Sequence, residues 1–147
     1  MADSGGIIAA LDLGNPARAR FAAVLESATR VYLTTAVVAE VHQILVSRNQ
    51  AAAAVAFLRD VSAGAFDLVP IERADLGVAA DLIVKYGGQM RRKRPKPGSI
   101  DLADALNVVA AARVDTNLIL ALDQDYRVIR PLTAHPAFAL IPQDLEP

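Results

Sequence analysis

Short apolar runs set between longer stretches of helical periodicity constrain the fold of this chain more than any other feature. "VYLTT" (31–35), "AFDLVPI" (65–71), "NLILAL" (117–122) and "AFALIP" (137–142) have the length and side chains of buried strands. Between them lie "AVVAEVHQILVSR" (36–48), "NQAAAAVAFLRDVSAG" (49–64) and "ERADLGVAADLIVKYGG" (72–88), all helical in period. A further helix starts near Ser99 or Asp101 and runs to about Val114. Strands that are apolar along their whole length are covered on both faces, and helices between them supply the crossovers of a parallel sheet. The expected fold is a three-layer α/β/α domain with a short, mostly parallel central sheet.

Local punctuation sets the boundaries. The opening "ADSGGIIAALD" (2–12) puts an acid directly before a short apolar stretch that reads as helix, and "NPARARFAAVLESA" (15–28) opens with Asn15 as N-cap and Pro16 at the first helical position. Gly64 ends one helix, Pro70 closes a strand, and Gly87 and Gly88 end another helix. Residues 87–99 form a basic loop broken by Pro95, Pro97 and Gly98, and 143–147 a tail. No repeat or linker divides the chain, so residues 1–147 are expected to be one domain.

Composition removes several function classes. Hydrophobic residues make up 54% of the chain, which excludes general disorder. Charges or prolines interrupt each apolar run before it reaches bilayer length, and "MADSGG" lacks the basic start of a signal peptide. Without cysteine there is no disulfide, thiolate site or thiol nucleophile. A cytoplasmic protein that does not span a membrane is expected. The net charge of −1 hides an uneven distribution. Arg91, Arg92, Lys93, Arg94 and Lys96 crowd into "MRRKRPKP" (90–97), a patch suited to phosphate groups.

The acids carry more chemistry. Ligands of an open parallel sheet bind beyond the carboxyl ends of its strands. Asp3 lies where a very short first strand would finish, and Asp123 directly follows "LILAL". Glu40 is within reach on the helix after "VYLTT", and Asp104 sits in the first turn of the helix before "NLILAL". Carboxylates brought to one rim repel one another unless a cation sits among them. Oxygen ligands without cysteine point to Mg²⁺, or Mn²⁺, rather than zinc. The ordinary roles of such acids stand beside this reading: Asp101 reads as a helix cap, Glu40 alone could be solvated, and Asp125 is a turn residue or a partner of Arg127. His42, two positions from Glu40, does not share its helical face, and His135 precedes Pro136 in a turn.

Taken together, "DSGGIIAAL" (3–11), "TTAVVAEVHQIL" (34–45), "IDLADALNVVAAA" (100–112) and "LILALDQDY" (118–126) resemble the PIN-domain ribonucleases. More narrowly, they resemble the VapC toxins of bacterial toxin–antitoxin pairs. Tyr126 stands where that family usually has an aromatic, and Ala121 replaces a common threonine. The resemblance implies a PIN-like domain with a divalent-metal site built from Asp3, Glu40, Asp104 and Asp123. It implies endonucleolytic cleavage of structured RNA (transfer or ribosomal), inhibition by a cognate VapB-type antitoxin, and a homodimer. Ser4 and Asp101 would support the ligands, and the basic loop would hold the RNA backbone. Two other readings compete: a non-catalytic PIN-like module that binds RNA or protein, and a haloacid-dehalogenase-type phosphatase using Asp123 of "DQD" as nucleophile.

Overall fold

The computed structural model describes residues 1–90 and 100–145 of the 147. In chain order the elements are α1 (Ser4–Leu11), α2 (Arg18–Ser27), β1 (Tyr32–Thr34), α3 (Thr35–Ser47), α4 (Ala51–Ser62) and β2 (Asp67–Val69). They continue with α5 (Arg73–Met90), α6 (Leu102–Arg113), β3 (Leu118–Leu120), a 3₁₀ turn (Gln124–Arg127) and β4 (Ala139–Ile141).

β1 pairs in parallel with β2, and β3 in parallel with β4. The first three residues join the two pairs. Ala2 N–H donates to Tyr32 O at 2.9 Å, Leu120 N–H to Met1 O at 2.9 Å, and Asp3 N–H to Leu120 O at 3.0 Å. The lateral order is therefore β2, β1, residues 1–3, β3, β4. The very short first strand expected before Asp3 lies at the middle of the sheet.

Side chains that alternate along these strands feed two cores. Met1, Ile119 and Leu140 pack with α5 and α6, whereas Ala2, Leu120 and Ile141 pack with α1 to α4. Ile119 and Leu140 are wholly buried, each worth about 1.5–3 kcal/mol of apolar transfer. The three-layer α/β/α arrangement with a short parallel sheet is thus as expected.

Two boundaries differ from the expectation. Asn15 does not cap α2 directly. Its side chain accepts the Ala17 N–H at 2.9 Å in the turn that leads to a helix beginning at Arg18. Gly87 and Gly88 do not stop α5, which runs on to Met90, so residues 87–90 belong to a helix rather than to the basic loop. Gly is only about 1 kcal/mol poorer than Ala inside a helix, too little to end one already propagating. Arg91, Arg92, Lys93, Arg94 and Lys96 lie outside the described residues. Gly64 does end its helix, with φ of +86° just after the Ala63 cap.

Candidate metal centre

Four separate elements deliver the acids to one rim. Asp3 leaves the middle of the sheet as N-cap of α1, with extended backbone and its Oδ2 accepting the Gly5 N–H at 3.3 Å. Asp123 follows β3 in the same way and caps the 3₁₀ turn, accepting the Asp125 N–H at 2.9 Å. Glu40 occupies the second turn of α3, whose start is fixed by Thr34 accepting the Val37 N–H. Asp104 is the third residue of α6, in a capping box with Asp101. These acids, with Ser4, Gly5, Asp101, Leu122 and Gln124, line a cavity of about 360 Å³. Asp101, exposed at the helix head, is a cap and also a wall of this cavity.

Beneath the cavity lies a buried polar network. The Tyr126 hydroxyl is 3.1 Å from Asp104 Oδ1 and 3.3 Å from Asp3 Oδ1. Asn107 Nδ2 is 3.3 Å from the same Asp3 oxygen and 3.2 Å from the Tyr126 oxygen. Thr34 Oγ1 donates to Asn107 Oδ1 at 3.4 Å. Tyr126 is 1% exposed, and Asn107 and Thr34 are fully buried, so this is a costly place for polar atoms without partners.

The electrostatics follow from this packing. Burial raises the Asp3 carboxyl to a pKa of about 6, opposed by the Ser4 and Gly5 N–H groups and assisted by the nearby Glu40 charge. Burial raises Asp104 further, to about 8, with the charges of Asp101 and Asp3 adding to the effect. Burial and the charges of Asp3 and Asp104 push the Tyr126 phenol well above its ordinary range, so it is a neutral donor. The hydrogen-bond donors that face Asp3 and Asp104 here are all uncharged, and none of them relieves the repulsion as a cation would.

The donor set suits a hard cation: oxygen donors, mostly carboxylates, around a cavity with room for an ion and several waters. Among the described residues, however, no three acids or histidines stand close enough, as placed, to ligate one ion together. Asp3 and Asp104 are the pair drawn together by a shared donor. Mg²⁺ is commonly held through one or two carboxylates and keeps several waters, which is compatible with this spacing.

The structure therefore brings Asp3, Ser4, Glu40, Asp101, Asp104 and Asp123 to one cavity, as the sequence suggests. His42 and His135 are not in its wall. His135 meets Thr133 Oγ1 at 2.8 Å instead. Arg127 pairs with Asp144 of the tail at 2.6 Å, and the Asp125 N–H donates to Asp123 Oδ1 in the turn, one of the two roles expected of Asp125. Reasoning from sequence missed Asn107 and Thr34, and saw in Tyr126 only a ring. A signal for Asn107 did exist. It is the lone polar side chain in the run "ALNVVAAA", one turn after Asp104, where an unpartnered amide would be costly.

Comparison with known proteins follows the same lines. The PIN-domain family model matches residues 1–130. Ribonuclease VapC26 of Mycobacterium tuberculosis is 31% identical over 132 residues, covering 88% of this chain and 91% of the relative. Among solved structures, M. tuberculosis VapC20, described as a sarcin-ricin loop cleaving toxin, superposes with a TM-score of 0.70. The two are 17% identical, and the match covers 84% of this chain and 89% of VapC20, which speaks for the fold.

Proposed function

The chain belongs to the PIN-domain family, in its VapC branch, and on that premise we propose that it is a metal-dependent endoribonuclease toxin. The observation that carries this reading is the convergence of Asp3, Glu40, Asp104 and Asp123, from four elements, on one cavity. Membership of this family replaces the phosphatase reading of "DQD". The relative VapC26 is named a ribonuclease, which supports RNA as the substrate class, and structured RNA is the finer part of the proposal. The proposal takes residues 1–147 as one such domain.

Asp3, Asp104 and Asp123 would hold a Mg²⁺ ion, or Mn²⁺, directly. When bound, such an ion supplies positive charge that offsets the negative charge developing on the scissile phosphate and eases ionisation of water. Glu40, on α3 beside the head of α6, would bind the ion or orient the attacking water. The Ser4 hydroxyl would hold Asp3 or a phosphate oxygen, and Asp101 keeps Asp104 in register at the helix head. Arg91, Arg92, Lys93, Arg94 and Lys96 would contact the RNA backbone, positioning it without reading sequence.

A cognate VapB-type antitoxin and a homodimer complete the reading, together with a cytoplasmic location. No helix among the described residues is long and apolar enough to cross a membrane. A second reading, a PIN-like module that binds without cutting, draws on the absence of a tight three-acid cluster among the described residues. One experiment separates them: brief expression of the wild type, Asp3→Asn and Asp104→Asn, with mapping of new RNA 5′ ends. Discrete cuts by the wild type alone support the nuclease. Cutting by both variants at the wild-type level would reject the assignment.

A further inference from the structure

The buried network beneath the cavity has a direction, and that direction can be read from its atoms. Thr34 Oγ1 accepts the Val37 N–H, which leaves its own proton for Asn107 Oδ1. The Asn107 amide is thereby oriented with its nitrogen towards the acids. Its two N–H groups have two acceptors within reach, Asp3 Oδ1 and the Tyr126 oxygen. The Tyr126 oxygen accepts from Asn107, and its single proton is left for a carboxylate. Asp3 Oδ1 already receives Asn107, and Asp104 Oδ1 is the nearer of the two acids, so the proton is best spent on Asp104.

From this we infer that Tyr126 and Asn107 are positioning residues for the metal site. They join Asp3, at the head of α1, to Asp104, at the head of α6, through two neutral side chains. This inference rests on the nuclease reading above. Both acids are anchored from below at Oδ1, while Gly5 N–H and Asp101 N–H hold each Oδ2. Four N–H or O–H donors therefore fix two carboxylates that begin on different elements, and each oxygen keeps a lone pair for a cation. Phenylalanine at 126 would preserve the edge-to-face packing on Phe138, at 6.1 Å between ring centres, yet bring no proton to Asp104. Leucine at 107 would fill the volume of asparagine and donate nothing to Asp3.

The test is calorimetric titration of the metal-free protein with Mn²⁺ alone, on the wild type, Tyr126→Phe, Asn107→Leu and Asp104→Asn. Outer hydrogen-bond partners of metal ligands are worth about 10–100-fold in metal affinity. A loss of that size is expected for Tyr126→Phe, with cooperative unfolding retained. Its RNA cleavage should fall at low Mn²⁺ and recover as the ion is raised, while KM for RNA stays unchanged. If Asn107→Leu does not fold, Tyr126→Phe decides alone. Wild-type Mn²⁺ affinity in Tyr126→Phe, beside lost binding in Asp104→Asn, would overturn the inference and leave the nuclease reading standing. A wild type that takes up no Mn²⁺ would overturn both.

Discussion

Asp101 and Asp104 each accept the other's backbone N–H at the head of α6. Asp101 Oδ1 lies 3.0 Å from Asp104 N, and Asp104 Oδ2 lies 3.3 Å from Asp101 N. This reciprocal box explains why a helix with so apolar a buried side starts with two acids one turn apart. The roles still differ, because Asp104 alone also reaches the Tyr126 hydroxyl below the cavity.

Substitution should separate those roles. Asp101→Ala removes a cap and should cost about 0.5–2 kcal/mol in urea unfolding, with metal uptake largely kept. Asp104→Asn keeps an acceptor oxygen and sheds a buried charge, so the metal-free protein should be as stable as the wild type or more so. Mg²⁺ should no longer raise its unfolding midpoint. Equal loss of metal response in both variants would show that Asp101 is a ligand rather than a cap.

Raised acid pKa values make metal-free stability depend on pH in a definite sense. From about pH 4 to 6 the folded protein holds protons on Asp3 and Asp104 that the unfolded chain has released, so stability falls as pH rises. Asp104 continues this trend to about pH 8. It is opposed there by the buried Met1 ammonium, lowered to about 6, which favours folding as pH rises from 6 to 8. Subtracting the wild type from Asp104→Asn isolates Asp104: the variant's advantage should grow up to about pH 8 and then level. Mg²⁺ should stabilise the wild type more at pH 8 than at pH 6, because protons and cation compete for the same oxygens. An advantage that stays constant with pH would contradict this placement of Asp104.

The layer order and the four converging acids were legible because both depend on regular features: apolar period, strand ends and residues that open helices. Asp104 is written in the sequence as an acid in the first turn of a helix, and Asp123 as the acid that directly follows a strand. What escaped were contacts made across the fold. Asn107 lies 73 positions from Thr34 and 104 from Asp3, so no local pattern announces their hydrogen bonds. Gly87 and Gly88 misled for a related reason: helix end signals are weak compared with the tertiary packing that carries α5 along α6. The basic segment stays a reading from sequence.

Gly6 tests how closely α1 must approach the sheet. A Cβ there would lie 2.2 Å from Leu120 O and 2.7 Å from its carbonyl carbon. That backbone belongs to β3 and accepts the Asp3 N–H, so it cannot yield without releasing Asp3. Gly6→Ala should cost at least the roughly 1–3 kcal/mol of ordinary overpacking, and metal uptake with it. At Gly5 the nearest atom to such a Cβ is Asp3 Oδ2 at 3.5 Å, an ordinary contact, so Gly5→Ala should fold like the wild type. Comparing the two by circular-dichroism melting tests the claim. Equal midpoints would mean that α1 can move off β3 freely.

Asp123 combines a capping bond with a place on the cavity wall, and two substitutions pull these apart. Its Oδ1 accepts the Asp125 N–H that starts the 3₁₀ turn, and that turn carries Tyr126 into the core. Asparagine caps about as well as aspartate, whereas alanine does not. Asp123→Asn should therefore leave the unfolding midpoint near the wild-type value while RNA cleavage at moderate Mg²⁺ falls at least about tenfold, the cost of roughly 1.4 kcal/mol of lost transition-state stabilisation. Asp123→Ala should lose cleavage to the same degree and, in addition, about 0.5–2 kcal/mol of stability. Purified variants compared by urea unfolding and by gel assay of a structured RNA give both numbers. Full cleavage by Asp123→Asn would remove Asp123 from the metal site and leave it as a cap alone.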